Sequence, residues 1–308
     1  MMLTAIVEVF RSWRKSDCDE RAFVLTAVGI PNHVHFDGWH YVLTVEETQY
    51  TAAVAHLSRY AAENGPPPPS PPPQRLYPVI FSIVACVLYA VALVLVGSAV
   101  ATGFWRLDAF DIGAIDSGLV QAGEWWRAWT ALTLHVDAAH LAANLGGGMW
   151  FGYLAGRQIG AGHTWLLTVV GAGVANLIES LLGPVGHHSV GASTAVFTVL
   201  GLMAAYTWRI RYEFPQRWAL RWGPLVAGAL LLGWMGTGGL SGIDKPEVIA
   251  ASTTDIVAHA SGFFVGAVLG AVAAFTAVRR WLVRVPQWAS GAAAAGIIAV
   301  AWAFALSS

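Results

Sequence analysis

The sequence predicts an all-α polytopic membrane protein that carries a small α+β soluble domain at its N-terminus. Its 308 residues are 56% hydrophobic and only 11% charged, where a soluble domain averages about 25% charged. Seven apolar runs, at 76–102, 139–159, 164–183, 190–208, 219–237, 251–277 and 288–306, are long enough to cross about 30 Å of hydrocarbon at about 1.5 Å per residue. Basic residues segregate across these runs. Arg11, Arg14, Lys15, Arg21, Arg59, Arg75, Arg157, Arg209, Arg211, Arg217, Arg221, Arg279, Arg280 and Arg284 fall on one side, and only Arg106, Arg127 and Lys245 on the other. The positive-inside bias therefore expects a cytoplasmic N-terminus and an exoplasmic C-terminus, which an odd number of spans allows.

The first domain is expected over 1–63. AFVLTAV and WHYVLTV read as β-rich segments around Pro31 and an Asp37-Gly38 turn. Thr44 with Glu47 three residues later has the form of a capping box, and Tyr50, Ala53, Val54, Leu57, Tyr60 and Ala61 then recur at helical spacing. His33 and His35 lack carboxylate or thiol company and read as alternating strand positions rather than metal ligands. The opening MMLTAIVEVF has no basic n-region and no small-residue cleavage site, so the first span is expected to direct insertion. GPPPPSPPPQ, within 64–75, reads as a stiff spacer, since proline-rich chain extends at about 3.1 Å per residue.

The spans follow, with Trp165, Trp208, Trp218, Trp222, Trp281 and Trp288 near their ends, where amphipathic rings prefer the headgroup level. Cys18 and Cys86 lie in different parts of the chain with no metal-ligand spacing, and neither is given a role. Several function classes are excluded. There is no HExxH, no pair of intramembrane aspartates and no pair of broken helices in an inverted repeat. A net charge of −1 with scattered Lys and Arg gives no nucleic-acid footprint.

Four polar residues stand near the starts of the even-numbered spans: His140 and Asn144 in HLAAN, Ser193 in GASTAVF and His259 in AHASGFFVG. Polar groups in hydrocarbon are costly and are functional candidates by default. With the expected orientation all enter from the exoplasmic side. Ser193 lies about 5 Å and His259 about 12 Å below that edge at 1.5 Å per residue, so one depth holds both. A serine hydroxyl needs a base to take its proton, and a neutral imidazole suits that work. Ser193 reads as nucleophile and His259 as base. His140 and Asn144, at i and i+4, share a helix face from which they can donate to an oxyanion. Gly262, Gly266 and Gly270 lie on the His259 face and allow close approach of the helix entered by Gly191, Ala192 and Ser193. Other polar residues keep open readings. Asp255 either orients His259 or is solvated, Glu179 either faces water or contacts substrate, and His187 and His188 either line a cleft mouth or sit in an exposed turn.

These residues resemble the rhomboid intramembrane serine proteases. The match runs from about 76 to 277 and rests on Trp126-Arg127, on HxxxN (His140, Asn144), on GxSx (Gly191, Ser193) and on AHxxGxxxG (His259, Gly262, Gly266) in order. The resemblance implies a six-helix catalytic core over 76–277, with 278–308 as an additional seventh helix. It implies a Ser193–His259 dyad with no third carboxylate, an oxyanion hole of His140 and Asn144, and Phe197 packed on the histidine. It also implies a loop around Trp126 and Arg127 set partly in the outer leaflet, with helix five and the loop near 238–250 as gate and cap. Its partners would be transmembrane protein substrates in the lipid bilayer, and no metal or organic cofactor is implied. A noncatalytic rhomboid-like protein that binds transmembrane clients is the alternative. Thr194 departs from the family's usual glycine, and a β-branched residue there is expected to narrow the pocket. Arginine outnumbers lysine by 15 to 2 and alanine and glycine abound, which points to a GC-rich bacterial genome and a plasma membrane.

Overall fold

The computed structural model describes residues 5–64, 76–104, 108–213, 218–236 and 246–308, with 236 and 246–255 described as backbone. The proline-rich segment 65–75, the first part (238–245) of the cap loop expected near 238–250, the side chain of Asp255, and Arg106, Arg217 and Lys245 lie outside the described residues, whereas 246–250 is not loop but the start of a helix. The chain divides into two compact units, Met1–Ser70 and Pro71–Ser308.

The first unit is a three-stranded antiparallel sheet in the order β1 (Ile6–Ser12), β3 (Tyr41–Glu46), β2 (Asn32–Phe36), packed on α1 (Lys15–Ala27) and α2 (Tyr50–Glu63). Leu25, Ile30, Leu43, Val45, Ala53 and Leu57 form its core. Two expectations are corrected here. AFVLTAV is not a strand, because it continues the helix begun at Lys15. Cys18 and Leu25 recur seven residues apart, both fully buried, and Ala22 packs beside them between the two. That is a helical period, hidden when the apolar run is read alone. Thr44 does not cap a helix. It lies in β3 and its hydroxyl donates to the His33 carbonyl across the sheet (3.2 Å), and α2 begins only at Tyr50 after a 3-10 turn. His33 and His35 occupy exposed alternate positions of β2 with their rings stacked at 6.3 Å.

Among the described residues the second unit holds seven long helices that follow the apolar runs: α3 (Val79–Ala101), α7 (Ala138–Ile159), α8 (Ala161–Leu182), α9 (Ser193–Tyr212), α10 (Trp218–Gly236), α11 (Pro246–Ala273) and α13 (Gln287–Ser307). Among the described residues, Val79–Ala101, Ala161–Leu182, Ile256–Ala273 and Gln287–Ser307 are by themselves long and apolar enough to cross a membrane. The α9 helix is the central rod, touching α7, α8, α10 and α11 and buried at nearly every position from Thr194 to Tyr206. The long segment between α3 and α7, read from sequence without elements, folds into α4 (Ala109–Gly113), β4 (Ile115–Asp116), α5 (Ser117–Gln121) and α6 (Arg127–Thr130). The sixth run stops at Ala273, with a short α12 (Thr276–Leu282) after it.

Helix α13 is stitched into the bundle at both ends. Near its start the Gln287 carboxamide accepts from the backbone N–H of Gly162 (2.9 Å), and the His163 ring lies within bonding distance of the Ser290 hydroxyl (2.8 Å) and the Leu282 carbonyl (2.9 Å). Near its end Trp302 Nε1 donates to Thr133 Oγ1 (3.0 Å), and Phe304 stacks on Trp126.

The most extended close contact is between α9 and α11. A Cβ on Gly262 would lie 2.6 Å from the Thr194 carbonyl oxygen, one on Gly266 would overlap the Thr198 carbonyl, and one on Gly270 would overlap that of Leu202. From the other side, a Cβ on Gly201 would overlap the Phe263 carbonyl. Both helices advance by four residues per contact in the same direction, so they run parallel with a fixed register. Without a hydrophobic force between helices in lipid, such close backbone approach is what binds them. Helix propensity alone predicts that Gly266→Ala gains about 1 kcal/mol, but the overlap makes it an overpacking substitution costing about 1–3 kcal/mol. Thermal unfolding in detergent should therefore show Gly266→Ala destabilised. Gly296→Ala on α13, where a Cβ meets nothing within 4 Å, should unfold at or above the wild-type temperature.

Candidate active site

Asp137 fixes the first side of the site. Its carboxylate accepts from the His140 backbone N–H (2.7 Å), which starts α7 there and puts His140 and Asn144 on successive turns. Gly191 precedes α9 with φ at +126°, a backbone conformation that L side chains rarely adopt, and its N–H donates to the Ala131 carbonyl (2.9 Å). The His140 ring lies directly against it, so that a Cβ there would sit 2.6 Å from Nε2 and 3.5 Å from the Asn144 amide nitrogen. The glycine is required by close approach as well as by φ. Asn144 is 5% exposed, and its Nδ2 has no hydrogen-bond acceptor among the described residues.

Parallel packing supplies the other side. Gly147 meets Val196 and Gly191 meets His140, so α7 runs parallel to α9 just as α11 does. Gly262 stands level with Thr194, which puts His259, three residues earlier, within about one 5.4 Å turn of Ser193 along the bundle. The His259 ring packs on Phe197 with centroids 4.4 Å apart. Both Ser193 and His259 are half-buried. Thr194, expected to narrow the site, is buried with its methyl turned to Gly262, 3.1 Å from where a Cβ would stand. The glycine opposite absorbs the extra bulk.

Trp126 and Arg127 do not reach this group. Arg127 is 5% exposed and pins the α4–α6 segment, with Nε on the Glu124 carboxylate (2.6 Å) and its two terminal nitrogens on the carbonyls of Ala114 and Asp111 (both 2.8 Å). Trp126 joins the cluster of Leu134, Trp302 and Val190. Their place is in the scaffold beneath the site.

Sequence reading missed His135. Its Nε2 accepts from the Ala192 backbone N–H (3.4 Å), and its ring meets that of His140 edge-on at 5.1 Å. Burial, followed by the neighbouring His140 charge, pushes its pKa down to about 4. The signal was legible only as a histidine five residues before His140, which spacing alone does not distinguish from a loop residue. Glu179 and His187, whose readings the sequence left open, both have buried side chains, and they lie 3.5 Å apart. His188 is exposed, 3.7 Å from Asp116.

The depressed His135 pKa has a definite sign. The unfolded chain takes up this proton near pH 6.5, whereas the folded chain resists until about pH 4, so the stability is complete above 6.5 and is lost as pH falls between the two. His135→Gln should flatten that part of the curve of melting temperature against pH from 7 to 4.5. An unchanged curve would rule out this linkage.

The Rhomboid domain family matches residues 122–275, which brackets every residue of the site. The chain is 38% identical over 92 residues to Rhomboid protease GluP of Bacillus subtilis (strain 168), covering 30% of this chain and 18% of that protein. It is 30% identical over 162 residues to RHOMBOID-like protein 1 of Arabidopsis thaliana, covering 52% and 38%. It is 27% identical over 203 residues to Rhomboid protease GlpG of Salmonella choleraesuis (strain SC-B67), covering 64% and 63%. The chain thus spans only 18% of the first of these relatives and less than two thirds of the others. With the family match extending over half its length and centred on the helices that carry the site, this chain belongs to the rhomboid family.

Proposed function

We propose that the protein is an intramembrane serine endopeptidase that cuts transmembrane segments of membrane-anchored proteins near the exoplasmic face. The observation that carries this reading is the Asn144 amide, a buried donor without an acceptor beside the turn that presents Ser193. An unsatisfied buried donor costs about 1–3 kcal/mol. A packing role would have paired it or replaced it with an apolar group, whereas an oxyanion site needs a donor held ready before charge develops.

In the proposed reaction a substrate helix unwinds at a small or helix-breaking residue, since an intact helix hides its carbonyls in i to i−4 bonds. Ser193 Oγ attacks the exposed carbonyl carbon as His259 takes the hydroxyl proton. The oxyanion is held by His140, Asn144 and the free N–H groups at the start of α9. His259 then gives its proton to the leaving amine, and water repeats the sequence on the acyl-serine. No metal or organic cofactor enters these steps.

The same reading assigns 1–63 to the cytoplasm, 64–75 to a spacer, 76–277 to the catalytic core and 278–308 to the added helix. The N-terminus is then cytoplasmic and the C-terminus exoplasmic, in a bacterial plasma membrane. Transmembrane proteins are the substrates.

Ser193→Ala and His259→Ala should abolish cleavage of a reporter transmembrane substrate in liposomes, and a fluorophosphonate should label wild type but not Ser193→Ala. Asn144→Ala should lower kcat by about 100- to 1000-fold, the loss seen when one oxyanion donor is removed. Cleavage should survive a chelator. A folded wild type that takes no label and cuts no reporter would instead be the client-binding protein.

A further inference from the structure

We propose that Glu179 and His187 form a buried latch that positions the turn presenting Ser193. The claim rests on the reading of Ser193 as the nucleophile, but the geometry can be tested without it. Glu179 lies in the last turn of α8, and the chain reverses just after it: the Gly183 N–H donates to the Glu179 carbonyl (2.7 Å) and Gly186 takes φ +90°. The reversal returns His187 to within 3.5 Å of the Glu179 carboxylate, with the two side chains only 9% and 5% exposed.

From His187 onward the chain has little slack. Its carbonyl accepts from the Ser117 N–H (3.0 Å), and His188 and Ser189 form β5, paired antiparallel with Asp116 and Ile115 of β4. Two residues beyond the ribbon, Gly191 is tied to the Ala131 carbonyl and Ala192 to the His135 ring. Extended chain paired to a strand transmits displacement, so a shift at His187 moves Gly191 against His140. The latch is thus set four residues upstream of the Gly191 contact.

The neighbouring charged and polar groups have contacts of their own. On β4 the Asp116 carboxylate is occupied by the Leu119 N–H (3.0 Å) and faces His188; Arg127 of α6 is held by Glu124 and two backbone carbonyls. On α5, Gln121 donates to the Ser180 carbonyl. Removing one member of a buried ionisable pair is far more disruptive than breaking a surface pair.

The test uses the full-length protein in detergent or nanodiscs without substrate. In Glu179→Gln and His187→Gln, amide hydrogen exchange at Ser117, Gly191 and Ala192 should quicken by about tenfold or more, as local opening becomes easier. The double variant should go no further than either single one. Fluorophosphonate labelling of Ser193 should slow in parallel, and with a reporter substrate kcat should fall while KM stays. The swapped pair, Glu179→His with His187→Glu, should restore slow exchange and labelling. Unchanged exchange in both single variants, or effects that simply add, would overturn the latch. If a single variant does not accumulate, the swapped pair decides: recovery of a folded protein with slow amides upholds the proposal, and failure to recover overturns it. A wild type that takes no label would count against the protease reading alone, because the exchange data judge the latch independently.

Discussion

Everything polar at this site depends on one apolar fact, the contact of backbone on backbone between α9 and α11. Gly262, Gly266 and Gly270 meet successive carbonyls of α9, and Gly201 answers from the other helix. A contact of this kind has no adjustable side chains, so it fixes axial register and rotation together. Ser193 stands one residue before Thr194, and His259 stands one turn before Gly262. Once the glycines seat, the imidazole and hydroxyl have no independent choice of level. Phe197, one turn below the serine, then receives the ring of His259 at 4.4 Å. Precision in the polar pair is obtained from packing, the interaction that survives best where water does not reach.

The seven long helices were legible because the hydrocarbon layer sets their length and composition, and the positions of Gly262, Gly266 and Gly270 were legible because helical period and residue size suffice to find them. The α7 pair was legible too, since His140 and Asn144 at i and i+4 can only share a face. What escaped reading was nonlocal or compensated. AFVLTAV looks like a strand until Cys18, four residues upstream of Ala22, reveals the period of α1. Thr44 and Glu47 have the letters of a cap, but the β1–β3–β2 sheet claims Thr44 first. Thr194 looks too large until its opposite residue is known to be Gly262. Glu179 and His187 carry no sign in sequence that a reversal at Gly183 and Gly186 brings them together in a buried place.

Around the interlock, the turn at Gly191–Ser193 is tethered from separate parts of the chain. Ala131 and His135 hold it from the segment before α7, and the β4–β5 ribbon holds the strand leading into it. That segment is in turn fixed by Arg127 inside the loop and by Thr133 bonded to Trp302 on α13. The seventh helix is therefore not an appendage to a finished core. It clamps α8 at one end through Gln287 and Ser290 and supports the ground beneath the turn at the other.

This arrangement explains why the site can leave polar groups unsatisfied. The Asn144 Nδ2 atom is buried without an acceptor among the described residues, and it costs free energy that a purely structural protein would recover by relaxing. Relaxation would require α7 to rotate or the turn to slide. Rotation is resisted by the Asp137 cap and by the His140 ring against Gly191, and sliding by the ties at Ala131 and His135. The Asn144 amide is held where it is by bonds that do not involve its own hydrogens. A donor kept unsatisfied in this way needs no reorganisation when negative charge appears beside it, which is the condition under which a hydrogen bond accelerates a reaction rather than merely binding its reactant.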